Sequence, residues 1–238
     1  MDLYEKQARV YPAIAGTIIP LILTTAFVSS YISTELTFWQ LLLARIGTVI
    51  PIALVYGAIA YWIRQQFIDT SKLLFQHILF KRDETEMPTT KMLLWSSSSR
   101  KSSQDIKVIA RKIKKDFNIV LLSEEQEREN PMEAKKTIVD AVGKIREVTR
   151  DNENLQQYNR KFGFCRNYLG ACVYSIGFIL LALVLNCVLN LGFTTKIISA
   201  LIVQLLFGTL IFLTLKFKGD EYAKALFNAY TTEAEYRR

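Results

Sequence analysis

The sequence predicts an α-helical membrane protein with four transmembrane helices and a small α/β cytoplasmic domain inserted between helices two and three. Three observations predict it. Half of the 238 residues are apolar (50%), and mean hydropathy is +0.17, more than a soluble core needs. The apolar residues crowd into 11–63 and 168–215 and leave 64–166 strongly charged. Lys and Arg number 30 against 22 Asp and Glu, a formal charge of +8, and nearly all of the cations lie to one side of the apolar blocks. Such a split excludes one ordinary soluble domain and a disordered chain alike.

A bilayer core takes about 20 apolar helical residues at roughly 1.5 Å each. Four stretches reach that length: Tyr11–Ser30, Phe38–Ile63, Tyr168–Leu189 and Ile197–Leu215. Pro12 stands near the start of the first, where a missing amide costs little, while Pro20 and Pro51 fall inside spans and predict kinks. The first stretch is longer than a signal core and a second span follows it closely, so it is read as a retained helix. The turn Tyr31–Thr37 has no Lys or Arg and the turn Asn190–Lys196 has only Lys196. Lys6, Arg9, most of the cations and Lys216, Lys218, Lys224, Arg237 and Arg238 lie on the opposite side. Both termini and the middle segment are therefore expected in the cytoplasm. Cys165, Cys172 and Cys187 read there as small reduced residues rather than a disulfide framework.

This gives a division into spans one and two (1–63), a cytoplasmic ligand-sensing domain with helical stalks (64–166), spans three and four (167–216) and a C-terminal cytoplasmic helix (217–238). Within the middle segment, 64–81 keeps a helical period through Phe67, Leu74, Phe75, Ile78 and Leu79, and the run 83–90 with Pro88 ends it. Lys91–Trp95 is an apolar run of strand length. Ser96–Ser103 is a polar loop, and Gln104–Phe117 is a helix with Ile106, Ile109, Ala110, Ile113 and Phe117 on one face. Ile119–Leu122 is a second strand-length run, Ser123–Asn130 a charged loop. Pro131 opens a helix to about residue 150, with Ala134, Ile138, Val142, Ile145 and either Val148 or Thr149 inward. Strand, helix, strand, helix predicts two parallel strands joined by a right-handed crossover. A further helix from about Asn152 leads back to the membrane. An α/β core of about 60 residues is marginal alone, so it is expected to pack against copies of itself.

No phosphate-loop, dinucleotide, zinc-protease or paired-cysteine motif occurs, so no catalytic residue, metal or cofactor is expected. His77 reads as a packing or surface residue, and Glu124, Glu125, Glu127 and Glu129 as a solvated acidic loop. The informative stretch is Ser96–Lys115. Lys107, Arg111 and Lys114 stand at helical spacing on one face, opposite the apolar one. Before them, Ser96, Ser97, Ser98, Ser99, Arg100, Lys101, Ser102 and Ser103 offer hydroxyls and cations at a helix N-terminus, a setting that suits phosphate. Trp95 is placed to stack on a base, worth roughly 1–3 kcal/mol. The same face also suits anionic lipid headgroups or plain solvent.

Inside the spans, Arg45, Asn186, Asn190 and Gln204 are candidates to line a pore. They serve equally as interhelical hydrogen bonds, worth about 0.6 kcal/mol each. Gly16, Gly47, Gly57, Gly170, Gly177 and Gly208 permit close helix approach. Asp220–Arg238 reads as a helix whose Tyr222, Leu226, Ala229 and Tyr230 pack beneath the domain or onto a neighbour. Four spans are few to enclose a channel, so a pore requires a homo-oligomer. The competing reading is a structural or interaction membrane protein that docks a cytoplasmic partner through its charged domain; a lipid-modifying enzyme is weakest.

In layout the chain resembles the membrane effectors of bacterial antiviral systems that use nucleotide signals, and among them it is most similar to the Hailong channel effectors. A short multipass chain, a basic middle domain and the lack of a catalytic motif carry the resemblance. It implies an ion channel of the bacterial inner membrane, a homo-oligomer with a tetramer favoured, and a soluble domain that binds an oligodeoxyadenylate strand. It also implies a closed state held by that strand, a pore that opens on its loss with depolarisation and growth arrest, and a nucleotidyltransferase that supplies the signal. Relatives of the same class take cyclic nucleotides and open on binding. The ligand role falls on Ser96–Ser103, Lys107, Arg111 and Lys114.

Overall fold

Residues 3–32, 61–76, 78, 84–98 and 101–236 are described in the structure, a computed structural model. The helices are α1 (Tyr11–Ile32), α2 (residues 61–71), α3 (Pro88–Lys91), α4 (Ser103–Phe117), α5 (Glu124–Glu129), α6 (Pro131–Val148), α7 (Glu153–Leu189) and α8 (Thr194–Tyr236). A π-helical stretch, Lys6–Val10, leads into α1, and another, Lys72–Gln76, follows α2. The chain divides into an apolar unit, Met1–Lys72 with Phe164–Leu213, and a charged unit, Leu73–Gly163 with Thr214–Arg238.

Three stretches among the described residues are long and apolar enough to cross a membrane: Leu3–Thr25, Glu153–Val188 and Thr194–Thr232. This is the make-up of a multi-pass membrane protein. The expected second span, Phe38–Ile63, lies outside the described residues up to 60, and so do Arg45, Pro51 and His77. The stalk expected over 152–166 and the span after it form one helix, α7, and the fourth span and the C-terminal helix likewise form α8.

Within the apolar unit, α7 is the hub, and it packs through small and polar residues. Gly16 of α1 lies against Ala171, so a Cβ at Gly16 has no room. Ser175 Oγ donates to the Gly16 carbonyl, and Asn167 Nδ2 donates to the Ala8 carbonyl. On α2, Ser71 Oγ meets Asn167 Oδ1 at 3.1 Å, the Thr70 and Tyr174 hydroxyls are 3.1 Å apart, and the Phe67 and Tyr174 rings lie 5.1 Å centre to centre. Gly170 leaves space for the Phe67 carbonyl. Small residues let helices approach where lipid removes the hydrophobic incentive to associate. α7 ends at Asn190, which takes the left-handed conformation (φ 52°) that asparagine tolerates.

The charged unit corrects the expected fold class, because it is helical: no strand occurs among the described residues. Lys91–Trp95 is not a strand. Pro88 presets the first turn of α3, and the amides of Lys91, Met92 and Leu93 bond back to Met87, Pro88 and Thr90 at 3.0, 3.0 and 3.1 Å. That turn puts Met92, Leu93 and Leu94 side by side in the core. Ile119–Leu122 is an irregular connection without a ladder partner among the described residues, entered through the left-handed Asn118 (φ 57°) and left through Ser123, the N-cap of α5. The parallel pair and its crossover are therefore absent from the described residues. Periodicity holds where it has length: α4 buries Ile106, Ile109 and Ile113, and α6 buries Ala134, Ile138, Ala141, Val142 and Ile145. Thr149, not Val148, turns inward. From α8, Ala223, Leu226, Phe227 and Tyr230 complete this core.

Candidate functional site

The expected phosphate seat divides. Ser102 is the N-cap of α4, and its Oγ accepts from the Asp105 amide at 3.1 Å. Lys101 Nζ donates to Asn228 Oδ1 on α8 at 3.0 Å. Burial lowers the Lys101 ammonium's pKa, Asp105 acts against that, and Lys224 adds to it. Ser96, Ser98 and Ser103 are exposed and Ser97 half-buried; Ser99 and Arg100 lie outside the described residues. Among the described residues of Ser96–Ser103, Lys101 and Ser102 thus have partners of their own.

Lys107, Arg111 and Trp95 do come together. They line a cavity of about 450 Å³ within the charged unit, whose floor is Leu93, Ile106, Leu121, Leu122, Ala134 and Ile138. Ser123, Gln126 and Glu127 complete the rim. Lys107, Arg111 and Lys114 are exposed and their side chains make no hydrogen bond or ion pair with any described residue, although Lys114 does not line the cavity. The half-buried Trp95 is held by its indole N–H, which donates to the Leu122 carbonyl at 3.3 Å.

Glu127 is the residue that the sequence concealed. The acidic run is not a solvated loop but the short helix α5, opened by a capping box in which Ser123 and Gln126 satisfy each other's amides. Glu124, Glu125 and Glu129 point to solvent, while Glu127 is only 3% exposed. Its Oε1 accepts from the Ser96 amide at 2.8 Å and its Oε2 from the Trp95 amide at 3.0 Å. Hydrogen bonds to a charged group contribute about 1.5–3 kcal/mol, which offsets the cost of burying the carboxylate. The Ser-x-x-Gln spacing at Ser123–Gln126 was the available signal: it starts a helix, and a helix turns one of four nearby glutamates inward.

Of the pore candidates, Arg45 lies outside the described residues, and Asn186 and Gln204 make contacts within the apolar unit. Asn186 is 2% exposed; its Nδ2 donates to Thr194 Oγ1 at 2.9 Å and its Oδ1 accepts from the Phe193 amide at 2.8 Å, closing the turn between α7 and α8. Asn190 is the helix terminator in that turn. Gln204 is fully buried, with Nε2 donating to Cys172 Sγ at 3.0 Å and Oε1 without a partner. Among the described residues no group of His, Cys, Asp and Glu is placed to hold a metal.

A second, polar groove of about 550 Å³ runs in the charged unit between the start of α7 and the end of α8, lined by Asn152, Asn154, Tyr158, Lys224, Asn228 and Thr232. The first joins two cations without partners among the described residues to an apolar lining, the combination a ligand with a charged end and a flat end requires; the second holds one such cation, Lys224. Comparison with protein-family models, curated proteins and solved structures gives no match.

Proposed function

We propose that this chain is an oligomeric ion-channel effector, of the antiviral class its layout resembles, gated by a nucleotide or single-stranded oligonucleotide bound in the Lys107–Arg111 cavity. The observation that carries the reading is that cavity: two cations without partners among the described residues stand over an apolar floor beside Trp95 and Glu127. A nucleotide needs both features, a positive rim for phosphate and a flat apolar wall for the base. The continuity of α7 and α8 supports the gating half of the reading. Each helix has residues in both units, so a ligand that favours one arrangement of the charged unit acts on helices that also belong to the apolar unit. Differential affinity for the closed and open arrangements then sets the gating energy.

The experiment is conductance of the full chain in planar bilayers, with and without nucleotides, beside the variant Lys107→Glu/Arg111→Glu/Lys114→Glu. Current that responds to nucleotide in the parent and not in the variant is the expected result. Neutralising three phosphates of a single strand gives a logarithmic salt slope of about −2, which the variant loses. A bilayer silent under both conditions overturns the channel reading in favour of a protein that docks a partner, and unchanged strand binding by the variant overturns the site.

A further inference from the structure

We propose that Gln204 is the gating residue of the apolar unit: the arrangement seen here holds its amide half-satisfied against Cys172, and the conducting arrangement turns that amide into water. This rests on the channel reading above and adds where along the spans the gate lies. Gln204 belongs to the apolar part of α8, and its side chain has no exposure. Around it Ile202, Val203, Leu205, Leu206 and Phe207 are 41–60% exposed. α8 therefore meets the rest of the apolar unit along a narrow seam, and Gln204 lies on it about two turns after the fully buried Ile197. The amide has one partner. Its Nε2 donates to Cys172 Sγ at 3.0 Å, and the Tyr168 hydroxyl donates to the same sulfur. Its Oε1 is buried without a hydrogen bond. Exchanging the oxygen and the nitrogen leaves the defect in place, because the end away from Cys172 has no partner in either orientation. Asn186, by contrast, uses both ends of its amide in the turn between α7 and α8.

An amide end buried without a partner bears its desolvation cost in full, whereas in a water-filled path both ends are hydrated. That cost falls only on the arrangement that buries Gln204, so the residue biases the unit toward one that exposes it. The bias amounts to about five- to hundredfold in the ratio of open to closed. Sulfur is a weak acceptor, so Cys172 offsets only part of it. The narrow seam permits the motion. Val203 and Leu205, on either side of Gln204 around the helix, are both apolar, so α8 can turn about its axis without carrying a charge into lipid.

The test is single-channel recording of the full chain in planar bilayers, with and without nucleotides, beside Gln204→Met, together with thermal melting of both proteins in detergent. Methionine fills similar space without a polar end. Gln204→Met is expected to lower the open probability by about fivefold or more, and to raise the melting temperature because the orphaned amide is gone. Cys172→Ala removes the amide's remaining partner and is expected to shift the open probability the other way. In the Gln204→Met background the same Cys172→Ala change loses that effect, since the two side chains act as a pair. An open probability within about twofold of the parent in Gln204→Met overturns this proposal and leaves the channel reading intact. A Gln204→Met chain that melts earlier than the parent reveals an amide satisfied at both ends, by a trapped water, and overturns it as well. A parent protein that passes no current under either condition overturns both readings.

Discussion

The two units of this chain differ most in what they expose. In the charged unit the apolar side chains without exposure are Ile113, Ala141, Ile145, Ala223, Leu226 and Phe227, with Lys and most Glu on the outside. In the apolar unit Ser71 and Gln204 are fully buried beside Ala8, Ile179 and Ile197, and Asn167, Ser175 and Asn186 are nearly so, while Leu206, Phe207, Leu210 and Leu213 are 53–67% exposed. Water drives the first arrangement, since apolar surface leaves it at about 25 cal/mol per Å². The second suits a surrounding as apolar as leucine itself, where polar side chains gain by finding each other and small residues gain by close approach. The same chain therefore reads correctly only when each unit is assigned its own solvent.

The largest expected effect tests the water-driven half. Phe227→Ala empties a fully buried position and should destabilise the charged unit by about 3–5 kcal/mol, measured by denaturant titration of the full chain in detergent. Leu206→Ala, at a side chain 60% exposed, should leave the same titration nearly unchanged; equal losses at the two positions would break the contrast. Next comes close approach in the apolar unit. Gly170→Val drives a side chain into the Phe67 carbonyl, which cannot rotate away, and should cost about 1–3 kcal/mol by thermal melting in micelles. A neutral outcome would mean that α2 does not pack on α7. Smaller still, Asn167→Ala removes the bonds to Ala8 and Ser71 and should cost about 1.2 kcal/mol, twice the average for one such bond between membrane helices.

The smallest effect concerns a surface ion cluster. Lys135 and Lys91, both bonded to Glu86, hold its carboxyl at about 2, below the ordinary 4.5. A carboxyl depressed in the folded state stabilises it above pH 4.5 and loses that contribution as pH falls toward 2. The gap in urea midpoint between the parent and Glu86→Gln, worth about 0.2–1 kcal/mol at neutral pH, should therefore close over that acid range. A gap that stays constant with pH would show that Glu86 acts by shape rather than charge.

Legibility followed length. In α4 and α6 several turns repeat the apolar spacing, so Ile106, Ile109, Ile113, Ile138, Val142 and Ile145 were placed inward from sequence and are inward in the fold. Lys91–Trp95 and Ile119–Leu122 span too few residues to distinguish a period of two from one of 3.6, and both runs served a helical core instead. Of the candidate residues singled out in the sequence, Lys107, Arg111 and Trp95 line one cavity, and Glu127, which also lines it, reads in the sequence only as part of an acidic run.

Sequence alone determined where water ends and oil begins, because hydropathy over twenty residues sums contributions that no neighbour reverses. It also determined which faces of the long helices turn inward, because spacing along one helix is a local property. Only the tertiary structure decided that α3 and the segment after it curl rather than pair, that Lys101 bonds to Asn228 and Ser102 caps α4, and that Glu127 is buried against the Trp95 and Ser96 amides. A carboxylate is buried only where donors await it, and these come from amides 31 and 32 residues earlier in the chain. No local pattern encodes a partner that distant.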